Sequence, residues 1–139
     1  MILTLGYLAF IGWLTLGPQP TNTETKSLAM VVVDAVNRFG PIHNFTFADL
    51  EFVSNIAVFV PLGLLFVVLF GRRRWWLAIL AGVVLTLVIE GTQTFLPTRV
   101  PDVRDLIANT TGAILGALLA LLVTTGRPRA RAASIPVSR

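Results

Sequence analysis

Four apolar runs, at 1–17, 53–70, 75–95 and 106–125, frame the chain, and its polar residues collect between them or at their ends. Each run is near the ~20 residues that carry an α-helix across a ~30 Å hydrocarbon core. The pattern predicts an all-α polytopic membrane protein, a small bundle of four transmembrane helices. A shorter pattern lies in the 18–52 loop. Over 27–39, Leu28, Val31, Val32, Ala35, Val36 and Phe39 share one helical face, Asp34 and Arg38 lie opposite, and Gly40-Pro41 supplies a stop. It predicts an amphipathic helix resting on the headgroups, or a lid over polar groups beneath it. The expected organisation is one transmembrane domain over 1–125 and a disordered basic tail over 126–139. The first run lacks the basic flank and small-residue cleavage site of a signal peptide and is read as a retained helix.

Within the spans the polar and small residues keep helical spacing. Asn55, Phe59 and Gly63 follow at four-residue steps, so they form a strip expected to face protein. Pro61 frees the Ala57 carbonyl and predicts a kink rather than a break. On the third span Gly82, Thr86, Glu90 and Gln93 fall within about 80° of arc. The fourth opens with Pro101, and Asp102, Asp105, Asn109, Gly112 and Gly116 share a similar arc. Gly112 and Gly116 make a GxxxG pattern suited to close helix packing, within the chain or between copies, which leaves homo-oligomerisation open. Asn55, Glu90, Gln93, Asp105 and Asn109 all lie toward the same ends of their spans, with Arg99 and Asp102 in the loop above. The opposite halves of the spans hold no ionisable residue, which weighs against a proton or ion relay through the membrane.

Composition and charge sharpen this picture. The chain is 55% hydrophobic and 13% charged, with a mean hydropathy of +0.79, outside the usual range of soluble domains. Seven arginines, Arg72, Arg73, Arg74, Arg127, Arg129, Arg131 and Arg139, flank the spans with no acid among them. The 18–52 loop sets Lys26 and Arg38 against Glu24, Asp34, Asp49 and Glu51, a net −2. Arg99 and Arg104 balance Asp102 and Asp105. By the positive-inside rule both termini are expected in the cytoplasm and the polar cluster on the outer side. Trp75 and Trp76 suit an interfacial aromatic belt, and Tyr7 and Trp13 are expected at an interface or in packing. The overall +4 does not point to nucleic acid, because the basic residues sit beside spans without interleaved aromatics. There is no cysteine and one histidine, His43, in a loop. Thiolate and multi-histidine metal sites are thereby excluded, and neither a metal nor a cofactor is implied. Membrane lipids are the expected partners.

A carboxylate near the middle of a membrane helix costs about 3 kcal/mol, so Glu90 and its neighbours need a reason. Three readings stay open. Asn55, Glu90, Gln93, Arg99, Asp102, Asp105 and Asn109 form a ligand-binding cluster without turnover; or Glu90 or Asp105 works as general acid or base in a membrane-embedded hydrolase or transferase; or the cluster only ties helices together. Asp102 and Asp105 also suit a first helical turn, where the macrodipole favours acids. No residue is assigned as catalytic. Phe59, Pro61, Gly63, Gly112 and Gly116 are assigned to structure.

Three stretches, N-I-A-V-F-V-P-L-G from Asn55, E-G-T-Q-T-F from Glu90 and R-V-P-D-V-R-D-L-I-A-N-T-T-G from Arg99, together resemble the VanZ-like family of bacterial membrane proteins. The resemblance covers 55–116 and places Asn55, Phe59, Pro61, Gly63, Glu90, Gln93, Arg99, Asp102, Asp105, Asn109, Gly112 and Gly116 at family motif positions. It implies a bacterial cytoplasmic membrane and work at the cell envelope. The family's founding member is associated with low-level resistance to teicoplanin, which acts on outer-leaflet cell-wall precursors. The implied ligand is a lipid headgroup, a lipid-linked envelope precursor or an amphiphilic glycopeptide-type antibiotic.

Overall fold

The computed structural model describes residues 2–16, 23–40, 42–95 and 102–124, and these are helical with short connections and no strand among them. Five α-helices follow in order: α1 (Ile2–Leu16), α2 (Thr23–Phe39), α3 (Phe47–Phe70), α4 (Trp75–Gln93) and α5 (Val103–Thr124). A 3₁₀ turn, Arg72–Arg74, joins α3 to α4. Three of the four expected spans, those on α3, α4 and α5, are long and apolar enough to cross a membrane. The first is described over 15 residues as an apolar helix, shorter than these three. Among the described residues the bundle thus has three candidate membrane-spanning helices with a shorter apolar helix packed on them. Arg99, Pro101 and the 126–139 tail lie outside the described residues.

Local chemistry explains where the helices begin and end. Thr46 and Asp49 form a capping box at the start of α3: Thr46 Oγ1 accepts the Asp49 N–H at 3.3 Å, and the Thr46 N–H donates to Asp49 Oδ2 at 2.9 Å. This pair starts the helix six residues before the apolar run that marks it in the sequence. Asn37, near the end of α2, holds the connection between them. Its Nδ2 donates to the Phe45 carbonyl at 2.8 Å, and its Oδ1 accepts the N–H groups of Asn44 and Phe45 at 2.9 and 2.7 Å. Helix α3 runs unbroken through Pro61. At its end Gly71 takes φ +82°, a conformation that favours glycine, and its N–H donates to the Val67 carbonyl at 2.9 Å. The short turn then sends α4 back beside α3.

The packing centre is the α3–α5 pair. Gly63, Gly112 and Gly116 let the two backbones meet: a Cβ on Gly112 would strike the Ile56 carbonyl oxygen, and one on Gly116 would strike that of Val60. One on Gly63 would strike the Ala113 carbonyl oxygen. Small residues rather than large side chains therefore form this contact, as expected where lipid supplies no hydrophobic drive between helices. Helix α4 leans on both through Ala78, Gly82, Thr86 and Ile89, all buried. Ile11 of α1 joins Phe59, Leu62 and Ile89 in one core cluster, and Tyr7 donates its hydroxyl proton to the Val58 carbonyl at 2.5 Å. At the opposite end, Arg72 donates to the Leu121 carbonyl and, at 2.8 Å, to Thr124 Oγ1, closing the last turn of α5. Leu87, Val88, Leu118, Leu122 and Val123 remain on the outside, as a lipid-facing surface requires.

Helix α2 covers 27–39 as expected and begins four residues earlier. Val33 is buried against the bundle, and Leu28, Val31, Val32 and Phe39 are exposed. Most of the apolar face read from the sequence thus points away from the protein.

Candidate functional site

The end of the bundle remote from the arginine turn gathers four helices around a cavity of about 90 Å³. Leu14 and Thr15 come from α1, Asn55, Val58 and Phe59 from α3, Ile89, Glu90 and Gln93 from α4, and Asp105 and Asn109 from α5. The periodicity that put polar residues on single helix faces aims those faces inward. Phe59, Thr86, Gln93 and Asn109 are buried, and Asn55, Glu90 and Asp105 are partly so.

Hydrogen bonds tie the lining together in pairs. Asn55 Nδ2 donates to Asp105 Oδ1 at 2.7 Å, joining α3 to α5. Asn109 Nδ2 donates to Thr86 Oγ1 at 2.9 Å, joining α5 to α4. Gln93 Nε2 donates to the Thr15 carbonyl at 3.0 Å, which brings α1 into the site. Glu90 Oε2 accepts the backbone N–H of Asp102 at 3.0 Å. This bond fixes the start of α5 to the end of α4. Asp102 itself turns its carboxylate to the Arg104 N–H at 2.8 Å, as a helix cap does, and does not line the cavity.

Two atoms break the pattern of satisfaction. Glu90 Oε1 and Asn109 Oδ1 are both buried and have no hydrogen-bond partner. Burying a polar atom unpaired costs about 1–3 kcal/mol, more for a charged group, which sets these two atoms apart from the paired groups around them. Both are acceptors. Among the described residues, the lining contains no lysine, arginine or histidine that could serve them from within. No group of three or more His, Cys, Asp or Glu side chains able to hold a metal ion occurs among those residues either.

Of the seven residues assigned to binding, Asn55, Glu90, Gln93, Asp105 and Asn109 line this one cavity. Asp102 sits at its edge through its backbone, and Arg99 lies outside the described residues. Phe59 lines the cavity floor as well as packing in the core. The sequence reading missed Leu14, Thr15, Val58 and Ile89. A backbone carbonyl such as that of Thr15 leaves no mark in a sequence, and apolar wall residues look like any others in an apolar helix. Thr86 was on the recognised stripe without a role; the structure makes it the acceptor for Asn109. Arg104, counted only as a charge, lies 3.6 Å from Asp49 and 5.7 Å from the Phe52 ring centroid. It braces the start of α5 against that of α3.

A search of curated proteins and one of solved structures find no match to this chain. The family profile described as VanZ/LLP1 does match, over residues 4–124, which takes in every helix that builds the cavity. With the profile spanning nearly the whole of the described bundle, and with the apolar helices it contains, this membrane protein belongs to the VanZ/LLP1 family.

Proposed function

We propose that the cavity is a binding site for the polar group of an envelope amphiphile, held without turnover. The observation that carries this reading is the pair of unpartnered buried acceptors, Glu90 Oε1 and Asn109 Oδ1, at a cavity otherwise held rigid by hydrogen bonds between helices. A purely structural cluster would be expected to satisfy its own buried oxygens. Glu90 and Asp105 bind or orient the polar group, Asn55, Gln93 and Asn109 shape the pocket, and Asp102 holds Glu90 in place. Arg99, assigned by its motif position, would act from the α4–α5 connection.

The arginine turn at the other end supports an orientation in a bacterial cytoplasmic membrane with both termini inside, α1 crossing with the others, and the cavity facing outward. A site so placed meets outer-leaflet lipid headgroups, lipid-linked precursors and amphiphilic glycopeptides, and through the last of these could contribute to teicoplanin-type resistance. The test is binding of a panel of envelope lipids and teicoplanin to purified protein. Glu90→Gln, Asp105→Asn and Asn109→Ala should each weaken one member of the panel by tenfold or more while the protein stays folded. Unchanged binding and unchanged glycopeptide sensitivity in all three would overturn the reading.

One observation favours a second reading: two carboxyl groups, Glu90 and Asp105, share the cavity, as a general acid and base would. A membrane-embedded hydrolase or transferase predicts product from an envelope lipid incubated with purified protein. Its signature is loss of product in Glu90→Gln with binding retained.

A further inference from the structure

We infer that the arginine turn is a docking surface for an anionic phospholipid, with Arg73 and Arg74 holding its phosphate and the tryptophans beside them meeting its chains. The inference concerns the end of the bundle remote from the cavity and does not rest on the reading of that cavity. Sequence alone makes the three arginines equivalent; the fold does not. Arg72 reaches across to α5, donating to the Leu121 carbonyl and, at 2.8 Å, to Thr124 Oγ1. Among the described residues the side chains of Arg73 and Arg74 make no ion pair or hydrogen bond, and both are exposed. No acid is at hand to balance them. From 62 to 89 and from 106 to 124, the stretches that build this half of the bundle, the chain has no charged residue other than these three arginines, and the sequence beyond 124 adds four arginines and no acid. The counter-charge is therefore not a side chain of this half of the protein.

Position decides between the anions that could serve. Helices α3 and α5 end here and α4 begins here, each long and apolar enough to cross a membrane, so the turn sits where their apolar length runs out and a bilayer's phosphates begin. Phe70, Trp75, Trp76 and Val123 add exposed apolar surface beside it. An amphiphile suits both features. Its phosphate meets the guanidinium groups, whose paired N–H donors match phosphate oxygens, and its acyl chains lie on the aromatic and aliphatic belt. A soluble acidic protein would meet only the charge. Net charge narrows the lipid further: a zwitterionic headgroup brings its own cation toward three arginines with no acid near, whereas phosphatidylglycerol brings a phosphate alone. Each arginine so placed favours an anionic surface by roughly fivefold.

The experiment uses the protein's own tryptophans. Trp13, 70% exposed on α1, lies toward the cavity end, so Trp13→Phe leaves Trp75 and Trp76 as reporters of the lipid at the arginine turn. The full chain carrying this change is reconstituted into vesicles that mix brominated phosphatidylglycerol with ordinary phosphatidylcholine, and then the reverse, and tryptophan quenching gives the relative affinity of the two lipids. Phosphatidylglycerol should be favoured by about tenfold or more, and less so as salt is added. Arg73→Gln together with Arg74→Gln should cut that preference by about fivefold or more without lowering the thermal midpoint. Arg72→Gln, by contrast, should lower the midpoint, because it removes the donor to the last turn of α5. Equal quenching by the two lipids would overturn the inference. A preference that falls by less than this in the double variant would assign it to the arginines beyond 124 and overturn it too. Polyglutamate present on both sides of the vesicle should leave the quenching unchanged; relief of quenching would make the surface one for an acidic protein and rule out the lipid.

Discussion

Asn55 and Asp105 are separated by 50 positions in the chain and meet at 2.7 Å. Their bond is one of two that join side chains across helices at the cavity, and its strength bears on how firmly the site is held. In a membrane protein such bonds contribute about 0.6 kcal/mol on average and up to ~1.7. A double-mutant cycle of Asn55→Ala and Asp105→Ala, read by unfolding in mixed micelles, should therefore return a coupling of about 0.5–2 kcal/mol. Arg104 and Asp49 provide the contrast. They are 3.6 Å apart with side chains 50% and 44% exposed. Their coupling should be weaker than that of Asn55 and Asp105 and fade with added salt. A larger, salt-insensitive value would mean that the brace at the start of α5 is more buried than it is here.

Helices, taken as units, differ in how much of their role could be read in advance. The α3–α5 contact was legible because glycines at fixed helical spacing have few other uses in a span. It predicts opposite outcomes for the same residue type. Gly116→Val would drive its side chain into the Val60 carbonyl and should destabilise the fold by about 3 kcal/mol or prevent assembly. Gly12→Ala in α1 meets nothing within 4 Å and should stabilise by about 0.5–1 kcal/mol through helix propensity. Thermal unfolding in detergent measures both. Polar stripes on α4 and α5 were legible for the same reason, since a helix fixes which residues share a face. Much of α1 was not. It is apolar all round, so no face is marked, and what it gives the site is a backbone carbonyl and two wall residues. The capping box at Thr46 and Asp49 did carry a readable signal, a threonine followed three residues later by an acid, but it lay ahead of the apolar run that drew the boundary. Asn37 and Arg72 were opaque because each serves backbone groups brought near only by the fold.

At the scale of the whole molecule, the bundle places its small-residue contact in the middle, its arginines at one end and its unsatisfied oxygens at the other. The outward row on α2, Leu28, Val31, Val32 and Phe39, extends the apolar surface beside the cavity end. If α2 rests in the headgroup layer, tryptophan at Val31 should be quenched by lipids brominated near the interface and much less by lipids brominated at the chain ends. Because the chain has no cysteine, single cysteines report topology without background. One at His43 should label from outside the cell and one at Arg73 only after permeabilisation; the reverse pattern would put the cavity on the cytoplasmic side and remove envelope ligands from its reach. The claim on which the rest depends is that the cavity is occupied from the membrane. Native mass spectrometry of protein extracted gently from its own membranes tests it most directly. Wild-type chain should retain one polar lipid, and Glu90→Gln and the cavity-filling Asn109→Leu should release it while remaining folded. The same lipid carried equally by all three proteins would contradict it.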